Sequence, residues 1–123
     1  MNTAELIEQA AADGVTLALS PTGTIKATGD QSVVGKWLPT IRNNKANILY
    51  ELQREYRRSK VLALLEEKHF ALFVDDDKTD PVIAAVGIRD LATFELAIPR
   101  HAYNGMVLLE LIEKHYGEKY ANN

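Results

Sequence analysis

The sequence predicts an α+β fold, because helical and strand periodicities both occur and are grouped in separate runs. Neighbouring strands are separated by short turns, which favours antiparallel pairing. The segment between the two strand groups, residues 45–68, contains no glycine or proline and is typical of a helix. The predicted order is α-β-β-α-α, followed by a three-stranded antiparallel β-meander and a C-terminal helix.

The first predicted element is a helix over residues 4–13. Apolar residues recur there at helical spacing, and Thr3 is a candidate N-cap because its hydroxyl can accept a backbone amide hydrogen. Gly14 stands where a glycine commonly ends a helix. The sequence therefore predicts a short helix that ends before the first strand.

A β-hairpin is predicted next. Large apolar side chains alternate over residues 15–19, which is the period of a strand, and residues 24–28 form a second strand. The segment between them, residues 20–23, has turn composition, with Pro21 suited to the second turn position. The two strands should pair with each other.

Two helical segments follow the hairpin. The first covers residues 32–38, and Pro39 should end it because proline lacks an amide hydrogen and restrains the residue before it. A new helical start is expected near Thr40. The apolar residues of 45–68 have helical spacing, which fits one long helix or two helices with a bend near Ser59.

The second half of the chain carries the meander. Strands are predicted over residues 69–74, 82–88 and 91–98, and a strongly amphipathic helix over 105–116. The aspartate-rich segment 75–81 between the first two strands is a loop by composition.

Composition restricts the class of protein. The chain has 123 residues, a net charge of −3 and no cysteine, which excludes a disulfide scaffold, a thiol nucleophile and a thiolate metal site. No uncharged apolar run approaches the roughly 18 residues of a membrane span, and the N-terminus lacks a secretory pattern. We expect a soluble cytoplasmic protein with no membrane partner.

The sequence offers no catalytic, metal-binding or cofactor-binding constellation. His69, His101 and His115 lack metal-ligand spacing, and the acidic segment Asp75–Asp80 lacks the glycine and the alternating ligands of a calcium loop. The nucleophile-elbow and phosphate-loop motifs are both absent. We therefore expect no enzyme activity, no metal and no cofactor.

The first half resembles the TubC-type N-terminal docking domain over residues ~4–53. The residues that carry the resemblance are Glu5-Leu6-Ile7, Asp13-Gly14-Val15, Leu17, Leu19, Ile25, Lys26, Leu38, Ile41, Lys45, Ile48 and Leu52. The resemblance implies a dimer whose exposed hairpin strand accepts a short C-terminal peptide, and an origin in a bacterial mobile element or prophage. It divides the chain into a docking-like module, residues 1–53, and a βββα subdomain, residues 54–123, that shares the long central helix.

Two sets of candidate binding residues follow. The partner-binding residues at the hairpin are Leu17, Thr24, Lys26 and Thr28. The dimer interface is an apolar ridge of Trp37, Leu38, Ile41, Ile48 and Leu52. An edge strand presents unpaired backbone groups that an added strand can satisfy, and Lys26 favours an acidic peptide.

The function that this sequence predicts is a non-enzymatic protein–protein interaction module that forms a homodimer. One alternative is a nucleic-acid-associated accessory protein, whose phosphate contacts would be Arg54, Arg57, Arg58 and Lys60. Another is an inhibitor of a host defence complex, because nine carboxylates after residue 68 could mimic nucleic acid.

Overall fold

The computed structural model of the chain describes residues 2–120 and combines helices with two antiparallel sheets, which confirms the predicted α+β class. The elements are α1 (Thr3–Ala12), β1 (Thr16–Leu19), β2 (Ile25–Thr28), α2 (Gln31–Asn43), α3 (Lys45–Leu64), β3 (Phe70–Val74), β4 (Val82–Ile88), β5 (Ala92–Ile98), a 3₁₀ turn (Arg100–Ala102) and α4 (Gly105–Tyr120). Two compact units divide the chain, a first unit of Met1–Glu55 and a second unit of Tyr56–Asn123. The division falls within α3.

Helix α1 is capped by Asn2, so the prediction of Thr3 as the cap is wrong by one residue. The Asn2 carboxamide oxygen accepts the Glu5 amide hydrogen at 2.8 Å, and its Nδ2 donates to Glu5 Oε1 at 2.9 Å. Asn2 has extended backbone angles, whereas Thr3 already lies in the helix. The geometry of a reciprocal capping pair therefore begins one residue earlier than the sequence suggested.

Helix α2 runs without interruption through Pro39, so the predicted break and new start at Thr40 are wrong. A proline inside a helix removes the hydrogen bond to the carbonyl four residues earlier, which here belongs to Gly35. Both residues are exposed, so water can satisfy that carbonyl. The predicted break assumed that the Gly35 carbonyl would lose its hydrogen bond to Pro39 without replacement, whereas at this exposed position water can replace it.

The N-terminus of α2 is capped by Asp30. One carboxylate oxygen of Asp30 accepts hydrogen bonds from the Ser32 hydroxyl at 2.6 Å and the Ser32 amide at 3.0 Å. These bonds, with the hydroxyl bond as the larger cause, lower the pKa of Asp30 below its usual value of 3.8.

The remaining helices decide two further points. Helix α3 is continuous over 20 residues and passes through Ser59, which resolves the choice between one helix and two in favour of one. Helix α4 begins at Gly105 as predicted and extends to Tyr120, four residues beyond the predicted end.

The core of the first unit is one apolar cluster contributed by α1, the hairpin and the helices after it. Its buried members are Leu6, Ala10, Val15, Leu17, Ile41 and Ile48. Only the inward face of the hairpin contributes to it, through residues such as Ile25 and Ala27 that pack against the cluster. The other face of β2 is exposed.

The second unit is a three-stranded antiparallel sheet, in the order β3-β4-β5, with an apolar cluster on each face. One cluster joins α3 and the segment after it to the sheet through Val61, Leu65, Ala71 and Ala85. The opposite cluster joins α4 to the sheet and contains Val86, Ile88 and Ile112. The central strand β4 is consequently buried at six of its seven positions.

Candidate functional site

The hairpin is closed by a three-residue loop with a bulge. The Gly23 amide donates to the Ser20 carbonyl at 3.0 Å, and the Ser20 amide donates to the Thr24 carbonyl at 2.7 Å. Pro21 occupies the second turn position, as predicted, and Gly23 has a φ of 82°, which favours glycine. Ser20 and Thr24 therefore form a hydrogen-bonded pair, which fixes the hydrogen-bonding phase of the ladder.

That phase identifies the backbone groups that point out of the hairpin. The register pairs Thr16 with Thr28, Ala18 with Lys26, and Leu19 with Ile25. Hydrogen-bonded and non-hydrogen-bonded pairs alternate along an antiparallel ladder. Since the ladder starts from the Ser20–Thr24 pair, the Lys26 amide points inward to Ala18. The amides and carbonyls of Ile25 and Ala27 point outward along the free edge of β2.

The predicted partner-binding residues fall into two groups. Thr24, Lys26 and Thr28 are exposed and share the outer face of β2 and its turn. Leu17 is only 6% exposed and belongs to the core of the first unit, so it is not available at the surface. Side chains alternate between the two faces of β1, and Leu17 points to the face that packs on the core, not to the exposed face where a partner was predicted to bind.

The edge of β2 is the more open of the two hairpin edges. No third strand pairs with β1 or β2 in the part of the chain that the structure describes. Helix α1 packs against β1, and the Val15 amide donates a hydrogen bond to the Ala10 carbonyl at 2.8 Å. At the end of β2, Gly29 lies against the Gly14 carbonyl so closely that a Cβ would overlap it. The hairpin is thereby held to the α1 side.

The predicted dimer ridge lies largely inside the first unit. Ile41 and Ile48 are buried members of its core, and Trp37 and Leu52 are half-buried and pack against that core. Leu38 alone among the five is exposed, at 37%. The apolar residues that suggested an interface are needed for the core, because a small subdomain has few other residues with which to build one.

Of the four basic residues on α3 that were predicted to contact nucleic acid, one is buried and three are exposed. Arg57 is 7% exposed, and its Nε and Nη2 donate to the two Glu95 carboxylate oxygens at 2.6 and 3.2 Å. Arg54, Arg58 and Lys60 are exposed, and Lys60 Nζ lies 5.3 Å from the centre of the Tyr56 ring. Arg57 therefore ties α3 to β5 inside the second unit and does not face a ligand.

The Arg57–Glu95 pair was not found from the sequence. Glu95 occupies a strand whose other residues are apolar or small, and a single charged residue in such a strand is the signal that could have been used. A second polar link in the same unit is the Arg89 Nε bond to the Leu65 carbonyl at 2.7 Å. Both bonds need partners more than 20 residues away, which spacing rules do not reach.

A shallow cavity in the first unit is lined by Asp13, Val33, Lys36, Trp37 and Thr40. The Trp37 indole Nε1 donates to Asp13 Oδ2 at 3.0 Å across it. The only tryptophan of the sequence therefore joins α2 to the residue that ends α1.

Among residues 2–120, no three histidine, aspartate or glutamate side chains lie close enough to hold one metal ion. None of the helices in that range has both the length and the apolar character that crossing a membrane requires.

Comparisons of the chain with protein-family models, with curated proteins and with solved structures find no match. The resemblance of residues ~4–53 to the TubC-type docking domain accordingly stays a prediction.

Proposed function

We propose that the protein is a non-enzymatic protein–protein interaction module whose β2 edge accepts an extended segment of a partner. The observation that supports this proposal is that the Ile25 and Ala27 backbone groups point outward on an edge that no strand of the described residues covers. An added antiparallel strand would satisfy both amides and both carbonyls. Main-chain hydrogen bonds would supply most of the affinity.

The exposed side chains of β2 indicate the chemistry of the partner. Lys26 stands between the two outward-facing residues, so the residue opposite it in an added strand would approach it to roughly 5 Å. An acidic side chain is favoured there and a basic one is disfavoured. Thr24 and Thr28, on the same face, favour small or polar neighbours.

The alternation of inward and outward amides along β2 determines where a proline would block an added strand without damaging the hairpin. Proline at Lys26 would remove an inward hydrogen bond and damage the hairpin itself. Proline at Ala27 would remove an outward amide hydrogen and leave the β1–β2 ladder intact, because Ala27 lies in a non-hydrogen-bonded pair.

The experiment is a nuclear magnetic resonance titration of the full chain with acetyl-Thr-Val-Glu-Val-Thr-amide. We expect shifts concentrated at Ile25 and Ala27 and slower exchange of their amide hydrogens. The same peptide with lysine in place of glutamate is the ligand control. Ala27→Pro should abolish binding, and Lys26→Glu should reverse the preference between the two peptides. Slow exchange of the Ile25 and Ala27 amides in the protein without peptide would contradict the proposal, since it would mean that the edge is already covered.

A second candidate function is nucleic-acid association at the exposed side of α3. It is favoured by the exposed Tyr56 ring beside Lys60 and by a neighbouring shallow cavity whose lining includes Lys60, Lys68 and Phe73. Bases stack on aromatic rings, and phosphates bind lysine. Binding of an oligo-dT probe that weakens steeply with salt, and that Lys60→Glu abolishes, would support this function over the first.

The proposal includes a cytoplasmic location and an origin in a bacterial mobile element or prophage. The genes beside the coding sequence test the origin: phage or integrase genes would support it, and a peptide-synthase operon would point to subunit docking instead. Cell fractionation tests the location.

A further inference from the structure

The homodimer that the sequence predicts needs a surface other than the apolar ridge, and β3 offers one. β3 is an edge of the three-stranded sheet, and its five residues, Phe70-Ala71-Leu72-Phe73-Val74, include no charge and no proline. Charges, prolines and bulges are the usual devices that keep an edge strand from pairing with another chain. β3 carries none of them within the strand.

The outward groups of β3 follow from one hydrogen bond at its start. The Arg89 amide donates to the His69 carbonyl at 2.9 Å, and the register then pairs Ala71 with Gly87 and Phe73 with Ala85. These odd-numbered residues form the hydrogen-bonded pairs with β4. The amides and carbonyls of Phe70, Leu72 and Val74 consequently point to the open edge.

Pairing with a second copy around Leu72 uses all of these outward groups. In an antiparallel pair centred there, Leu72 lies opposite Leu72 of the second copy, and Phe70 lies opposite Val74. An interface of this kind is isologous, since the same surface serves both subunits around a two-fold axis. The two sheets would become one continuous six-stranded sheet.

Lys68 and Asp76, which flank β3, carry opposite charges and face each other in this register, whereas His69 is a polar partner of Asp75. Lys68 faces Asp76 of the second copy, and His69 faces Asp75, on both sides of the two-fold axis. Among the described residues, neither Lys68 nor Asp76 forms an ion pair within the subunit, although Asp76 Oδ1 accepts a hydrogen bond from the Lys78 amide at 2.8 Å. The bends that end the strand are at His69 and Asp75, so Lys68 and Asp76 lie one residue beyond it, and one like-charged pair, Glu67 against Asp77, falls one residue further out. The charges nearest the strand therefore attract.

The other sheet edges are poorer candidates for self-pairing. The register of β2 that uses Ile25 and Ala27 of both chains places Lys26 opposite Lys26. The corresponding register of β5 places Glu95 opposite Glu95, because the β4–β5 register leaves Thr93, Glu95 and Ala97 facing outward. Like charges directly opposite each other destabilise a strand pair. At the remaining edge, β1, the amide of Val15 already donates to the Ala10 carbonyl at 2.8 Å, whereas α4 packs against β3 only on one face of its sheet.

We propose that two copies of this chain associate through antiparallel pairing of β3 around Leu72, with Lys68 and His69 of each copy facing Asp76 and Asp75 of the other. This surface lies in the second unit and does not depend on the proposed docking of a partner at β2.

Sedimentation equilibrium of the full chain at about 5–200 µM tests the proposal with charge reversals. The wild type should be a dimer at the upper end of this range. Lys68→Glu and Asp76→Lys should each weaken association by about three- to tenfold, because each reversal replaces two attractive pairs by two repulsive ones. The double variant should return to within about twofold of the wild type. Lys114→Glu makes the same charge change as Lys68→Glu on the exposed side of α4 and should leave association unchanged.

Amide exchange identifies the paired strand without any substitution. On concentration of the wild type, exchange at Phe70, Leu72 and Val74 should slow, while Ala71 and Phe73 should be protected at every concentration. A monomer at 200 µM would overturn the proposal. The proposal would also be overturned by a dimer that Lys68→Glu does not weaken and in which the exchange rate of the Leu72 amide does not change with protein concentration. Neither result would affect peptide binding at β2, which is measured at Ile25 and Ala27.

Discussion

The two units use their sheets differently. The hairpin of the first unit packs one face onto a single apolar cluster and leaves the outer face of β2 exposed. The sheet of the second unit has an apolar cluster on each face, which buries almost all of β4. A sheet covered on one side keeps room for polar residues such as Lys26. A sheet covered on both sides must pair any charge that it carries, as Arg57 pairs with Glu95.

This difference also places the two proposed interfaces. In the first unit the exposed face of β2 carries a lysine that disfavours self-pairing and favours an acidic partner. In the second unit the apolar edge strand β3 carries no charge, and the Lys68 and Asp76 side chains that flank it would attract each other in the proposed pairing of two copies. The same backbone feature, an unpaired edge, thus favours different partners because of where the charges stand.

The largest effect is expected from breaking the charge pair of the second unit. Glu95→Ala leaves the Arg57 guanidinium buried without its carboxylate and should lower the free energy of unfolding by about 3 kcal/mol. Urea unfolding followed by circular dichroism measures this loss. The double variant Arg57→Met, Glu95→Met removes both charges and should recover most of the stability. Equal stability of Glu95→Ala and the wild type would show that the pair does not hold α3 to β5.

A smaller loss is expected where a helix crosses the sheet of the second unit most closely. At Gly87 a Cβ would overlap Val61 Cγ1 and lie 2.7 Å from Leu65 Cδ1. Gly87→Ala should therefore cost about 1–3 kcal/mol through overpacking. The control is Gly35→Ala in α2, where a Cβ meets no atom within 4 Å. That exposed helical position should gain about 0.5–1 kcal/mol. Comparable stabilities for the two variants would argue against the close approach.

The first unit should respond to loss of the bond between Trp37 and Asp13. Trp37→Phe keeps an aromatic ring against the core but removes the indole donor, and should cost about 1 kcal/mol in urea unfolding. Asp13→Asn retains an acceptor oxygen and should cost less. If the asparagine variant loses more stability than the phenylalanine variant, Asp13 has a role other than accepting this bond.

The smallest effect is a pH dependence confined to the cap of α2. Because hydrogen bonds from Ser32 lower the pKa of Asp30 in the folded state, its ionised form contributes stability above the unfolded pKa. That contribution is lost as the pH falls through the lower folded pKa. Asp30→Asn keeps a capping oxygen without titrating. The melting temperatures of the wild type and this variant should differ slightly at pH 6 and converge as the pH falls through the lowered pKa of Asp30. A constant difference would exclude the cap as the cause.

Local chemistry was enough to predict most of the elements. The alternation of apolar residues, the turn around Pro21 and the aspartate-rich loop placed the hairpin and the three strands of the meander to within about a residue. Pro39 is the exception. Its cost depends on whether the Gly35 carbonyl can reach water, and only the packing of α2 shows that it can.

Tertiary structure decided which of the predicted binding residues are available. Periodicity correctly marked Leu17, Ile41 and Ile48 as apolar positions, but a buried residue and an interface residue have the same periodicity, and these three lie in the core. From the sequence, Arg57 could not be distinguished from the other basic residues of α3. The structure shows that it binds Glu95, which lies 38 positions later in the chain. The direction of the Lys26 amide depended on which residue pair closes the hairpin. The sequence alone determined which apolar, polar and charged side chains lie along each helix and strand. Contacts between distant residues determined which of these side chains face solvent, because burial depends on contacts that no local pattern encodes.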